Sequence, residues 1–329
     1  MSRNNPLHTA PALALFLFLT AFTANGQKPP PREKIERFYT FDWQVTDGTH
    51  ARFYSIVEHT DSGWHRRDYY LHGPTLQMDG WYEDSAAKIP NGPITYVYPD
   101  KKLESTGRYL HGKKDGLWMT WHYNGMLADS TVYSNGHPIG TRLSFYPNGI
   151  IEDSSIHHAD GSGVIVSWHS NGNLSSAGIL APGGKKNGKW QFWHDNGKYS
   201  ALELYDHDSL LQYQYYSEDG QPVDTPRKDR NAIFKGGGNA WTEWLEDNMD
   251  WPEGYKITGA DEAAIVISAT IDESGNVTDV YVSTPFFPEF EKEALIILRH
   301  APRWQPAIRH NRRVQAHIRQ PVVFRQPKD

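Results

Sequence analysis

One signal returns six times along the chain and limits what it can fold into. Aligned on the asparagine of WHYNG (121–125), the chain presents Asp100, Asn124, Asn148, Asn171, Asn196 and Asp219, at spacings of 24, 24, 23, 25 and 23. Three positions before each anchor stand Val97, Trp121, Phe145, Trp168, Trp193 and Tyr216. Eight before stand Gly92, Gly116, Gly140, Gly163 and Gly188, with Leu211 in the last copy. A period this steady marks a repeat array, in which each unit buries its apolar face only against its neighbours.

Each unit reads as a β-hairpin. Asn-Gly supplies the positive φ of a tight turn just after an aromatic-rich strand, and the earlier glycine permits a bend or turn. Alternation sorts Met119/Trp121, Leu143/Phe145 and Val166/Trp168 onto one face, and Thr120/His122, Ser144/Tyr146 and Ser167/His169 onto the other. Stacking of the hairpins is expected to bury a continuous aromatic face of Trp121, Phe145, Trp168 and Trp193. The pattern resembles the bacterial variant of the MORN repeat, carried best by GKKDGLWMTWHYNG (112–125) and GKKNGKWQFWHDNG (184–197) and covering about 90–220. A degenerate lead-in, YYLHGPTLQMDGWYED (69–84), starts the same sheet.

The repeat also decides what its histidines are for. His122, His169 and His194 occupy a position that Tyr98 and Tyr146 fill in other copies. Equivalent positions in adjacent hairpins lie two strands apart, roughly 10 Å, whereas a zinc ligand sits about 2 Å from its metal. They are expected to form a half-exposed aromatic ladder, with no metal and no cofactor.

Composition narrows the classes. A chain of 329 residues exceeds what one core usually serves, so several modules are expected. A net charge of −6 gives no case for nucleic-acid binding, and the absence of cysteine removes disulfides, thiolate metal sites and a cysteine nucleophile. Arg3 followed by ALALFLFLTAFTA (12–24) and ANG reads as a signal peptide cleaved after Gly26, because the apolar run is shorter than the ~20 residues a membrane helix takes. Export to the periplasm follows, or inner-membrane anchoring if the segment is not cleaved. The domain reading is 1–26 signal peptide, 27–84 N-terminal strands and lead-in, 85–220 hairpin repeats, 221–232 linker and 233–326 a C-terminal module. No Gly-x-Ser-x-Gly, His-Glu-x-x-His or P-loop occurs, so the chain is expected not to be an enzyme.

Beyond the polar QPVDTPRKDRNA (221–232), the signals run helix, strand, strand, helix, strand. Trp241, Trp244, Leu245 and Asn248 follow at helical spacing. AAIVISATI (263–271) and VTDVYVS (277–283) flank the hairpin loop DESGN. Phe290, Ala294, Ile297 and Leu298 mark a second amphipathic helix that Pro302 ends, and VQAHIRQPVVF (314–324) alternates as a last strand. FKGGGNAWTEWLEDNMDWP, IDESGNVTDVYVSTP, EKEALIILRHAPRWQPA and NRRVQAHIRQPVVF together resemble the TonB C-terminal domain, with Trp251-Pro252 in place of that family's Tyr-Pro.

The overall fold class is therefore a mainly β array of stacked hairpins followed by a small two-layer α/β domain. The resemblance implies a Gram-negative cell-envelope protein that binds a protein partner, such as a segment of an outer-membrane transporter, by strand addition. Residues implied in that contact are Trp251, Pro252, Arg312, Arg313, Gln315, His317 and Arg319. Pro321 suits an edge strand, where one ladder hydrogen bond is dispensable. From Arg299 to Lys328 there are eight Lys/Arg and no Asp or Glu, against thirteen acidic residues and two lysines in 239–298. That favours an anionic partner, a carboxylate-bearing peptide or the cell wall, or serves only to keep an exposed edge from aggregating. Against direct energy transduction stand the short KPPPREK in place of a long proline-rich span and the cleavable signal. A second reading makes the chain a structural scaffold, its repeats organising homo-oligomers or gripping an envelope polymer.

Overall fold

The computed structural model describes residues 33–257 and 262–326; the segment read as a signal peptide lies outside them. Strand β1 (Lys34–Tyr39) pairs with both β2 (Val45–Thr46) and β3 (Phe53–Thr60). An antiparallel meander continues through β4 (Gly63–Tyr70), β5 (Thr75–Tyr82), β6 (Pro90–Val97), β7 (Leu103–Leu110), β8 (Lys113–Trp121), β9 (Leu127–Ser134) and β10 (His137–Phe145). It ends through β11 (Ile151–His157), β12 (Gly163–Trp168), β13 (Leu174–Ala181), β14 (Lys185–Trp193), β15 (Tyr199–Asp206), β16 (Ser209–Tyr216) and β17 (Pro222–Val223). All seventeen strands form one sheet.

Each repeat closes on its anchor. At WHYNG the Gly125 N–H donates to His122 O, and the His122 N–H to Met126 O. Gly125 has φ 88° while Asn124 stays outside the left-handed region. This is a turn closed by a glycine bulge, and the ladder shifts register a second time beyond the next pair, between Thr120 and Trp121. The paired left-handed residues of a type I′ turn occur instead at the other end of the unit, at His111-Gly112 and Asn135-Gly136. Asparagine serves a different purpose at the anchor. Asn124 Oδ1 accepts the Met126 N–H at 3.0 Å, and its Nδ2 donates to Pro147 O in the next copy at 2.8 Å. Asn148, Asn171 and Asn196 repeat both bonds.

A second bond stitches copy to copy. Tyr98 and Tyr146 donate through their hydroxyls to Trp121 O and Trp168 O, each at 2.8 Å. His122, His169 and His194 do the same through Nε2, to Phe145 O, Trp193 O and Tyr216 O. Tyr and His interchange because each carries a ring-borne donor that reaches the next aromatic's carbonyl. The ladder is buried at Tyr98, Tyr146, His169 and His194 rather than half-exposed. His194→Phe removes one of the two donors to Tyr216 O, the other being Asn311 Nδ2, in a 2 % exposed site, an expected loss of about 0.5–1.5 kcal/mol. His194→Tyr restores a donor and is expected to cost clearly less; thermal unfolding of both variants checks this.

The buried face is the one opposite to expectation. Trp118 and Trp190 lie flat over Gly107 and Gly178, where a Cβ would fall within 2.2 Å and 2.1 Å of the indole. They are buried with Ile94, Met78, Phe192 and Ala201 on the face that also holds the His/Tyr ladder. Trp121, Phe145, Trp168 and Trp193 project from the other face and are only half-buried. That outer face also carries Leu117, Ile156, Val164 and Ile179, the first and last being 54 % and 53 % exposed.

The C-terminal part contains α1 (Gly237–Asp247), β18 (Glu262–Ile271), β19 (Val277–Thr284), α2 (Pro288–Arg299), β20 (Ala307–Arg309), β21 (Arg312–Val314) and β22 (Ala316–Arg325). Strands β19, β18 and β22 form an antiparallel sheet in that order. Ile265, Ile267, Val322 and Phe324 face α1 and α2, closing a core around Phe290, Leu298 and Trp241. The region read as one strand from 314 is broken, because Val314 ends a short hairpin and Ala316 starts the long strand. Residues 221–232 are tied down: Val223 pairs with Tyr215, and Arg230 bridges to Ile308.

Candidate partner-binding interface

Strand β22 pairs with β18 along its whole length, from Ala316 opposite Ile271 to Arg325 opposite Glu262. Among the described residues no strand pairs with its other side. Backbone N–H and C=O groups left along a sheet edge are a template for another extended chain. Pro321 sits within this strand, opposite Val266. The exposed side chains are cationic or titratable, namely His317, Arg319 and Arg325, with Arg313 just before them.

The free face of the three-stranded sheet is covered by the buried face of the repeat sheet, which adds a third layer to the expected two. Tyr281 stacks on Tyr123 with ring centroids 4.5 Å apart and meets Tyr98 edge-on. Arg52 donates from Nε to Ala264 O at 2.9 Å and lies over the Phe286 ring. His72 meets Phe286 edge-on at 4.5 Å, and burial beside Arg52 depresses its pKa to about 4, so it is neutral at pH 7.

The firmest grip is the tip of the β20–β21 hairpin, which no motif had singled out. His310 and Asn311 both take positive φ to make the turn. The His310 ring stacks on Phe192 at 3.8 Å, and its Nδ1 lies 2.9 Å from Glu203 Oε2. Burial opposes ionisation of Glu203, but hydrogen bonds from His310 and Tyr205 outweigh it and hold the carboxyl below its ordinary value. Asn311 Nδ2 donates to Tyr216 O at 2.7 Å and to Ser200 O at 3.3 Å, while its Oδ1 accepts the Arg227 N–H.

Ser200 belongs to a row that has a readable signal. Four residues after each anchor come Glu104, Ala128, Glu152, Ser175 and Ser200. Each is the extra residue where the ladder slips by one, as between Phe145/Ile151 and Ser144/Asp153. Ser175 accepts from Arg312 Nη2 at 3.1 Å, and Ser200 Oγ donates to His310 O at 3.2 Å. Burial raises the carboxyl pKa of Glu104 and Glu152.

These contacts sort the residues implied as partner-binding. Arg312 is buried between the two sheets, held by Ser175 and lying over the Phe192 ring, so it joins the two parts of the chain. Trp251 and Pro252 belong to the C-terminal core region: Trp251 meets Phe290 edge-on and donates to Tyr255 O, and Pro252 is buried. A Trp-Pro pair cannot be told as core or contact from its letters, and here α2 covers it. Arg313 is exposed and paired with Glu218 at 3.1 Å. Gln315 is half-buried, His317 meets Thr270 Oγ1 at 3.1 Å, and Arg319 reaches Phe41 O and Thr284 Oγ1. Arg313, His317 and Arg319 thus stay beside the open edge.

Among the described residues no helix is long and apolar enough to cross a membrane. No curated protein matches the chain. Residues 186–207, the β14–β15 unit that grips His310, match the MORN repeat variant. Residues 259–326, which include the open strand β22, match the C-terminal region of the Gram-negative bacterial TonB protein, so a MORN-like segment precedes a TonB-like one in this chain.

Proposed function

We propose that this chain is a non-enzymatic adaptor of the Gram-negative cell envelope, in which the outer edge of β22 takes up an extended segment of a protein partner. The observation that carries this is the unpaired edge itself, ten residues long and lined by Arg319 and Arg325. Main-chain pairing supplies affinity, and the arginines favour a segment bearing carboxylates. A transporter linked to TonB-dependent uptake is a partner of the right kind. The repeat array holds the domain in place through Arg52, His310 and Asn311, leaving the edge open.

Successive N–H groups along β22 point alternately toward β18 and away from it. Proline placed singly at Ile318 and at Arg319 therefore removes one inward and one outward donor. One variant is expected to lose stability, and the other to keep its unfolding midpoint and lose partner capture about tenfold or more. Full capture by the variant that keeps its midpoint contradicts strand addition. The exposed Leu117, Ile156, Val164 and Ile179 favour a second reading, a scaffold working through its repeats. In that case deletion of 231–329 leaves binding intact.

A further inference from the structure

Between the inner face of the repeat sheet and the C-terminal part lies a cavity of about 320 Å3, toward the small end of ligand sites at about 300–1,000 Å3. It holds two groups of unlike charge with hydrogen-bonding capacity left over, Arg312 and Glu152. Arg312 is 7 % exposed. Its Nη1 donates to Arg309 O and its Nη2 to Ser175 Oγ, but among the described residues the Nε–H has no acceptor and no carboxylate lies within ion-pair distance. Ser144 Oγ, on the same wall, is also buried without a partner. Glu152, in the bulge row, makes no hydrogen bond or ion pair among the described residues, and burial raises its pKa. The other charges around the cavity are already engaged: Arg142 with Asp129 and Asp153, and Glu273 facing His169 at 3.6 Å.

A buried guanidinium with an idle N–H destabilises the fold, and native interiors rarely keep one. The half-buried Glu152 carboxyl on the same cavity has no hydrogen-bond donor among the described residues. One ligand relieves both if it carries a carboxylate and an ammonium on a compact frame. We propose that this cavity binds an α-amino-acid headgroup, its carboxylate on Arg312 Nε–H and the Ser144 hydroxyl, its ammonium at Glu152. The walls come from Tyr146, His169 and Ser176 of the repeats and from Val314 and Gln315 beside β22. An occupant therefore ties the repeat array to the start of the open strand. This site stands apart from strand addition and does not depend on it.

Isothermal titration of the full mature chain with L-alanine, meso-diaminopimelate, acetate and methylammonium tests the assignment. Saturable binding of L-alanine is expected, with acetate and methylammonium at least tenfold weaker. Binding of diaminopimelate alone supports the same headgroup carried on a longer molecule. Glu152→Gln is expected to weaken binding at least tenfold without lowering the unfolding midpoint, which a merely structural glutamate would not do; Ser144→Ala serves as a second variant. Acetate binding as tightly as alanine, unchanged binding by Glu152→Gln, or no heat from any probe overturns the proposal.

Discussion

Gly178→Ala is expected to destabilise the repeat sheet by about 3 kcal/mol, although it adds a single methyl group. The new Cβ would sit 2.1 Å from the Trp190 ring. Trp190 cannot yield cheaply, because its Nε1–H donates to Ile179 O at 3.1 Å and its ring is buried with Phe192, Ala201 and Tyr205. Moving it gives up that hydrogen bond and opens the face on which His310 is seated. For a unit of this size each kcal/mol lowers the midpoint by roughly 2–4 °C, so a drop of roughly 6–12 °C is the expected result in thermal unfolding. Gly48→Ala supplies a turn control, since nothing lies within 4 Å of its added Cβ and its φ lies outside the left-handed region. Equal midpoints for wild type and Gly178→Ala would contradict the tryptophan-over-glycine packing.

Phe290→Ala is expected to cost about 3–5 kcal/mol. Phe290 is fully buried, and its ring meets Trp251, Tyr255, Phe286 and Phe324 edge-on at centroid distances of 5.0 to 5.6 Å. Two of these neighbours carry function in the present account. Phe324 lies on β22, and Phe286 receives both Arg52 and His72 from the repeat sheet. The substitution should therefore weaken partner capture together with stability, measured by chemical denaturation and by pull-down at a denaturant-free temperature below both midpoints. Phe290→Leu, which refills most of the volume, is expected to recover most of both.

Much of this architecture was legible because periodicity is a one-dimensional property. The anchors at 23 to 25 residues and the helix–strand order after residue 232 need no knowledge of what touches what. Which face is buried was not legible in the same way. Trp118 and Trp121 differ by three positions and so stand on opposite faces, and both are tryptophan; only the glycine across the strand, Gly107, says which one lies flat. The His/Tyr position announced its own interchangeability, yet the acceptor, a carbonyl in the next copy, appears only once copies are stacked. Turn chemistry misled in a specific way: Asn-Gly reads as a pair of left-handed residues, whereas here the glycine alone turns and the asparagine bonds sideways.

The interface was less legible still. Arg312 lies in a basic run that reads as exposed edge, and nothing local distinguishes it from Arg313. What separates them is strand alternation over a hairpin whose turn, His310-Asn311, lacks glycine and so was missed. The row at four residues past each anchor was within reach. Glu104, Glu152, Ser175 and Ser200, with Ala128 interrupting them, form a mostly polar column, and Ser175 and Ser200 of that column meet the C-terminal hairpin.

The most direct test of strand addition at β22 is in-cell photocrosslinking from Arg313, Arg319 and Arg325, with Leu117 and Ile179 on the outer repeat face as comparison sites. Adducts from the β22 positions to one short extended segment of another envelope protein, absent from the repeat-face sites, are the predicted result. Adducts from Leu117 and Ile179 alone, with none from β22, would contradict it and make the repeat sheet the binding surface.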